Sequence, residues 1–303
     1  MAKYVQIFLT VFIVFLLKEN VFAVDEIQEC FNYLNTQNYE QAISEGQKAV
    51  KLYPVNHLVY VCLGRAYLSR EEFNLAIDNL KQAEKYAISY SDLMYIYNWL
   101  GIAYDNKGAV EHAFSYYNKS LSLARNLKER DMEAATINNI AEIFHNKGDF
   151  EKALSFYKEY LIVISSERDK AFAYNNIALI YAAKGDFKTA IEYLQKSLDI
   201  YEKNNDYYAY AQVELNMGNT YRKMKDFDIA QKYLFDGLEK IQQLGDKEWE
   251  GTAYKYIGWL HLDQGNKELS KEYFNKALEI FKSIGAQKDI ADVSMALSII
   301  NAK

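Results

Sequence analysis

The sequence predicts an all-α protein: a row of about seven helix-turn-helix hairpins closed by a capping helix. Three observations predict it. One proline stands in 303 residues, and glycine is concentrated at regularly placed turns, so little interrupts a helix except at set points. Residues 175–198, NNIALIYAAKGDFKTAIEYLQKSL, read as a helix, a tight turn at Lys184-Gly185-Asp186 and a second helix. In that stretch Ala178 and Ala190 stand where the two helices cross, with Tyr181 and Phe187 filling the wedge beside the crossing. Close copies of this hairpin flank it, and one hairpin alone cannot bury its apolar face. With 25% charged and 50% hydrophobic residues the chain has an ordinary soluble composition and ample core. Its net charge of −6 lacks the basic stripe of a nucleic-acid binder, so no nucleic-acid partner is expected.

The first 23 residues form a separate segment. Lys3 gives a positive start, residues 4–17 are largely apolar, and Val21-Phe22-Ala23 offers aliphatic or small side chains at the positions a signal peptidase reads. The expected product is a secreted or periplasmic chain cut between Ala23 and Val24. The alternative is an uncleaved membrane anchor, for which the apolar run is short, since a span takes about 20 residues. Losing Lys3, Lys18 and Glu19 leaves 33 basic and 40 acidic residues, a net of −7. In an oxidising compartment the two cysteines, Cys30 and Cys62, are able to pair, but strict disulfide geometry favours reading them as two small buried hydrophobes.

The repeat then runs in order. Small residues mark the first helix of each hairpin at Cys30, Gly64, Gly101, Ala141, Ala178, Gly218 and Gly258. Twelve residues on, the second helix has Ala42, Ala76, Ala113, Ala153, Ala190, Ala230 and Ser270. Three after the first marker come Tyr33, Tyr67, Tyr104, Phe144, Tyr181, Tyr221 and His261; nine after it come Tyr39, Phe73, Val110, Phe150, Phe187, Phe227 and Lys267. Successive hairpins start 34, 37, 40, 37, 40 and 40 residues apart, so rigid units are linked by joints of varying length. The predicted units are about 24–56, 57–92, 93–132, 133–169, 170–208, 209–248 and 249–287, forming a 24–287 solenoid. A capping helix follows in 288–303, carried by the periodic run DIADVSMALSIIN.

These markers resemble the tetratricopeptide repeat, TPR. Leu63-Gly64-Arg65-Ala66-Tyr67 and Leu100-Gly101-Ile102-Ala103-Tyr104 match its first helix, and Gly148-Asp149-Phe150 and Gly185-Asp186-Phe187 its turn. Pro54 falls where the family often ends a second helix. The long spacings and the joints Gly245-Asp246 and Arg130-Asp131 resemble the variety in kinesin light chain and bacterial Rap-type regulators. The resemblance implies a right-handed superhelix whose first helices line a concave groove. Two departures stand out. Tyr160 replaces the small residue kept by Ala49, Ala83, Ser120, Ser197 and Ala277, so the fourth unit is expected to pack differently. His261, Lys267 and Ser270 mark the seventh unit as terminal and solvent-facing.

No catalytic constellation appears. His57, His112, His145 and His261 have no metal-ligand spacing, two cysteines make no metal site, and no nucleophile elbow or phosphate-cradling loop occurs. No enzyme activity, cofactor or metal is expected. The candidate site is the groove. Asn139, Asn176 and Asn216 stand two residues before the crossing, beside Asn138, Asn175 and Asn219. The resemblance to kinesin light chain implies that such amides hold the backbone of an extended peptide. An amide both donates and accepts, so it pairs with a peptide unit of any sequence. The opposing reading has these asparagines bridge neighbouring helices. Phe31, Leu34, Leu58, Val61, Tyr95, Ile102, Phe172, Leu179 and Trp259 fall at positions the family exposes in the groove, and Arg222, Lys223 and Lys255 would favour an acidic segment. The family's carboxylate clamp needs a Lys/Asn/Asn/Lys/Arg set that no three units supply.

The expected function is an exported scaffold or adaptor that binds a peptide or partner helix. Alternatives are a ligand-responsive Rap-like regulator, for which a cleaved leader is unfavourable, and a structural part of an envelope or secretion assembly.

Overall fold

The computed structural model describes residues 25–301, so the predicted leader and its cleavage point lie outside the described residues. These contain fifteen helices and no strand. The hairpins are α1 (Asp25–Asn35) with α2 (Tyr39–Leu52), α3 (His57–Ser69) with α4 (Phe73–Tyr86), and α5 (Tyr90–Asn106) with α6 (Val110–Leu127). They continue with α7 (Arg130–Asn146) and α8 (Phe150–Val163), α9 (Glu167–Ala183) and α10 (Phe187–Lys203), and α11 (Tyr207–Met224) and α12 (Phe227–Leu244). The last is α13 (Lys247–Asp263) with α14 (Lys267–Ser283), followed by α15 (Gln287–Asn301). The chain divides into two compact units between Glu159 and Tyr160, inside α8. The bulky departure from the repeat pattern falls at that division.

Within the first unit each second helix packs on the next first helix, and α1, α3, α5 and α7 lie successively side by side. In the second unit α9, α11 and α13 do the same, and α15 covers α14. The crossing is set by the small marker and by a large residue sixteen positions later. A Cβ added to Gly64 would stand 2.6 Å from Leu80, one on Gly218 2.7 Å from Leu234, and one on Gly258 2.8 Å from Phe274; on Gly101 it would enter the ring of Tyr117. Ala178 and Ala190, the predicted crossing pair, are both fully buried.

A second contact repeats beside the crossing. The aromatic three residues after the marker stacks on one twelve residues further along: Tyr104 on Tyr116 at 5.5 Å, Phe144 on Phe156 at 5.6 Å, Tyr181 on Tyr193 at 5.7 Å and Tyr221 on Tyr233 at 5.8 Å. His261 on Tyr273, at 5.3 Å, completes the series. Such ring pairs contribute about 0.5–1.5 kcal/mol each beyond their buried area. His261 is therefore buried and takes a ring's place, contrary to the solvent-facing expectation, and burial pushes its pKa down so that the neutral ring stacks. Ser270 is likewise buried, its hydroxyl donating to the Gly258 carbonyl at 2.8 Å. Lys267 is exposed as expected, but the inner face of the last hairpin is covered, because Val293, Ala296 and Ile300 of α15 pack with Phe274, Ala277 and Phe281.

Turns between the paired helices use one left-handed residue, after which a backbone N–H reaches back to close the helix: Asp149 to Phe144 at 2.9 Å, Asp186 to Tyr181 at 2.9 Å and Asp226 to Tyr221 at 3.0 Å. Glycine fills the left-handed place at Gly108, Gly148, Gly185 and Gly265, whereas Gln37, Glu71 and Lys225 adopt φ of 61°, 61° and 67° there.

Cys30 and Cys62 form a disulfide, with Cα atoms 6.4 Å apart. This corrects the expectation of two unbonded hydrophobes. Because α1 and α3 lie side by side, the crossing residue of the first hairpin faces the position two before the crossing glycine of the second, within bonding reach.

Gly101→Leu is expected to wedge α5 from α6 and cost about 1–3 kcal/mol in urea unfolding, since the fully buried Tyr117 ring leaves no room. Lys225→Gly should act oppositely. It relieves a left-handed strain of about 1–2 kcal/mol and loses about 0.5–1 kcal/mol to glycine's unfolded freedom. An unchanged or higher urea midpoint is the expected result, and a clear loss would contradict the turn analysis.

Candidate functional site

The predicted amides lie on the first helices at a common register, and two of them bond sideways. Asn139 of α7 donates to Asn98 Oδ1 of α5 at 3.2 Å, and Asn216 of α11 donates to Asn175 Oδ1 of α9 at 3.0 Å. In both cases the donor stands two residues before its crossing residue and the acceptor three before the preceding one. Asn98 and Asn216 are buried, while Asn139 and Asn175 are half-buried. Asn176 is half-buried and has no side-chain hydrogen bond among the described residues. Asn138 donates to Glu142 at 3.1 Å, leaving its own Oδ1 enclosed without a partner. Burial pushes the Glu142 carboxyl upward, and Asp105 adds to the effect.

Two of the predicted groove cations of the second unit are neutralised. Asn219 accepts from Arg222 Nε at 3.0 Å and also bonds Tyr256, while Arg222 forms an ion pair with Asp263 of α13. Lys255 pairs with Asp289 of α15. Two of the three cations proposed for an acidic ligand are thus engaged by the protein's own carboxylates. Lys223 is exposed, and its pKa is lowered by burial of its stem and by Arg222. Lys240 likewise pairs with Glu214 at 2.6 Å, so the carboxylate that burial pushes toward its neutral form keeps a partner.

The apolar positions divide. Phe31, Leu34 and Val61 are buried in the core of the first unit, which corrects their assignment to an open face: neighbouring first helices lie against them. Leu58 packs partly buried on that core. Tyr95 is half-buried, its hydroxyl pushed up to about 12 by burial and by Glu129 and Asp131. Trp259 sits edge-on to Phe274 at 5.2 Å. Phe172, Ile102 and Leu179 are half-buried on their first helices.

Two polar positions of the first helices were missed by sequence reasoning. Asn98 accepts the Asn139 amide, and its signal was a position three before a crossing glycine, the place Asn175 holds in its hairpin. Arg65 of α3 directly follows Gly64, where other hairpins carry Phe31, Ile102, Leu179 or Trp259. It is 4% exposed, with its guanidinium carbon 4.8 Å from the Trp99 ring centre and 5.8 Å from that of Phe31. Burial lowers its pKa from 12.5 to about 10, so it stays charged at neutral pH.

A family model of the tetratricopeptide repeat matches residues 92–161, 169–239 and 209–283. The chain belongs to the tetratricopeptide repeat family. Hairpins α1–α4, which precede those matches, keep the same internal spacing. A TPR repeat-containing protein of Methanocaldococcus jannaschii is 24% identical over 92% of this chain and 54% of its own length. The chain therefore spans about half of that relative. Among solved structures, the quorum sensor NprR from B. thuringiensis in its apo form superposes with a TM-score of 0.65 at 17% identity, covering 91% of this chain and 86% of that one. A Rap protein complexed with Competence and Sporulation Factor gives 0.58 at 15% identity, covering 91% and 96%. At such identities the likeness is one of fold. TPR solenoids of this kind are protein-interaction scaffolds.

The sideways bonds are testable. Asn216→Ala should destabilise by about 1–2 kcal/mol because Asn175 loses its donor. A double-mutant cycle with Asn175→Ala should return a coupling of about 0.5–1.5 kcal/mol. A coupling near zero in urea unfolding would remove the bridge.

Proposed function

We propose that this TPR protein is an exported adaptor that holds an extended segment of a partner protein along its first-helix face. The observation that carries the reading is the recurrence of amide side chains at one register of that face. Asn216 and Asn139 spend one N–H on a neighbouring helix and keep a second N–H and an oxygen, while Asn176 keeps its whole hydrogen-bonding capacity. In the second unit Asn176 and Asn216 offer this chemistry, on a face whose first helices also carry the half-buried Phe172 and Trp259; in the first unit Asn139 offers it. Each added amide bond contributes about 0.5–1.5 kcal/mol, so affinity also needs apolar contacts beside the amides. The work is recognition, with no bond made or broken.

Export is supported by the leader-like segment and by the Cys30–Cys62 bond, since structural disulfides persist mainly outside the cytosol. A second reading, a ligand-responsive regulator, draws support from the fold likeness to the Rap protein bound to its factor.

Two experiments separate these readings. Protein isolated from its host is expected to begin at Val24, with cysteines that resist maleimide until reduced. A chain that retains Met1 and free thiols would favour the regulator. Reduction should lower stability by about 3–4 kcal/mol from loop closure over the 32-residue separation. For the binding mode, the immobilised full chain is compared with Asn139→Ala/Asn176→Ala/Asn216→Ala, both checked for folding by circular dichroism. A partner retained by the parent and lost from the folded variant is the expected result. Equal retention by both would make the amides purely structural.

A further inference from the structure

The joints between hairpins differ in composition, and the first two stand apart. The joint from α2 to α3 reads Lys51-Leu52-Tyr53-Pro54-Val55-Asn56, and that from α4 to α5 reads Lys85-Tyr86-Ala87-Ile88-Ser89-Tyr90. Neither holds a carboxylate, whereas the next four carry Glu129, Glu167, Asp206 and Asp246. Large apolar side chains point outward in pairs on the first two: Leu52 is 56% exposed, Val55 67%, Ile88 79% and Tyr90 70%. Later joints expose a single one near those acids, at Leu127, Ile162, Tyr207 and Leu244. Apolar exposure repeated on neighbouring loops marks a surface that something else covers.

The two joints form one edge of the first unit. Tyr60 of α3 donates its hydroxyl to the Pro54 carbonyl at 2.8 Å, and its ring lies 5.7 Å from that of Tyr86. Lys85 Nζ stands 5.1 Å from the centre of the Tyr86 ring. His57, which opens α3, has its Nε2 3.4 Å from Asp92 Oδ1, and Asp92 Oδ2 accepts from the Ile88 N–H at 3.2 Å. That carboxylate is thereby held by the protein itself. Helix α1 begins on the same edge. Asp25 and His57 each stand five residues before a cysteine of the Cys30–Cys62 bond, so α1 and α3 start level. The chain that precedes Asp25 therefore joins the protein here, and residues 4–17 of it are the apolar run of the leader.

We propose that this edge is a membrane-interface contact, resting on the lipid surface to which the leader directs the chain. Tyrosine and lysine beside aliphatic side chains suit the headgroup layer, because rings and stems enter it while phenol and ammonium stay wet. Carboxylates in a joint would be repelled by anionic lipid and costly to dehydrate, which excludes the later joints. Neighbouring first helices lie about 8–10 Å apart, so both joints reach one plane. Residues 18–24, between the apolar run and α1, span at most about 25 Å when extended. An attached leader thus keeps the edge at the surface, and after cleavage the edge alone holds the chain reversibly. The contact goes beyond the adaptor reading and uses none of its amides.

The contact orients the first unit. Its first helices begin at the edge, so on a membrane they stand with their N-termini toward the lipid. A segment crossing α1, α3 and α5 then runs parallel to the bilayer, at a height set by its register on those helices. Asn98 lies eight residues beyond Tyr90, the start of α5. At 1.5 Å per residue its level is about 12 Å above the edge.

The test uses the chain isolated from its host, floated with phosphatidylcholine vesicles containing about 30% phosphatidylglycerol. The parent should float. Ile88→Ser/Tyr90→Ser and Leu52→Ser/Val55→Ser should each bind about tenfold more weakly. All four side chains are exposed, so circular dichroism melts of both variants should match the parent. A tryptophan placed on the edge, Ile88→Trp, should be quenched by brominated lipid beyond the parent's background, and Leu244→Trp of the second unit should not. Quenching confined to Ile88→Trp supports the contact even where an attached leader keeps every variant afloat. An unquenched Ile88→Trp, or equal quenching at both positions, overturns it and leaves any flotation to the leader or to non-specific adsorption. A parent that does not float overturns it as well. So does a lipid-free dimer that either double variant turns into a monomer, which would assign the edge to a second copy. None of these outcomes bears on the amide reading.

Discussion

The helix crossing inside each hairpin is the constraint on which the structure depends. A glycine, alanine or cysteine on the first helix admits a large side chain from the second, and the two positions are sixteen residues apart in every hairpin where glycine marks the contact. Once the crossing is fixed, the turn length, the left-handed turn residue and the stacked ring pair have no freedom to drift. The loops that join hairpins are not fixed by that crossing, although a small-to-large contact also occurs between hairpins, where a Cβ on Gly46 would stand 2.6 Å from Leu63. Loop lengths vary in the sequence for that reason, and two loop residues, Lys128 and Asn205, tolerate left-handed backbone outside any glycine. Buried hydroxyls tune the same packing: Ser120 and Ser197 each donate to a first-helix carbonyl, of Met94 and Ala171, at 2.8 and 2.7 Å. A serine in a position otherwise held by alanine is thus a donor with a defined acceptor.

The hairpins were legible in the sequence because their markers are local and steric. A small residue, an aromatic three later and a glycine turn can each be recognised without knowing what lies across the fold. The stacking partners Tyr116, Phe156, Tyr193, Tyr233 and Tyr273 went unnoticed, although they keep a constant offset, because aromatics on a second helix read as ordinary core. Long-range pairing was the illegible part. Residue type places Asn139 and Arg222 on a face but does not reveal Asn98 or Asp263, which sit 41 residues away in each case. The same blindness hid the disulfide, whose two cysteines belong to different hairpins, and it misjudged His261, which stacks on Tyr273 of α14.

Polar groups on the first-helix face serve two ends that pull on the same atoms. An amide that ties two first helices together is held in one orientation, which limits its reach toward a ligand and also spares that ligand the entropy of ordering it. Paired cations make the contrast plain. Arg222 and Lys255 stiffen the second unit by joining successive first helices or the closing helix. Arg65 is stiffened by rings alone, so its rigidity uses none of its donors.

In a stack where each hairpin leans on its neighbours, an end hairpin has a packing partner on one side and ordinarily opens first. The Cys30–Cys62 bond removes that freedom at the first hairpin. With α1 covalently joined to α3, the opening of α1 and α2 leaves them tethered beside their own docking surface, and full release requires the second hairpin to open as well. Amide protons of α1 should then exchange with those of α3 as a single slow group, while the amides of α15, held by side-chain packing and the Lys255–Asp289 ion pair with no covalent tie, exchange independently and sooner.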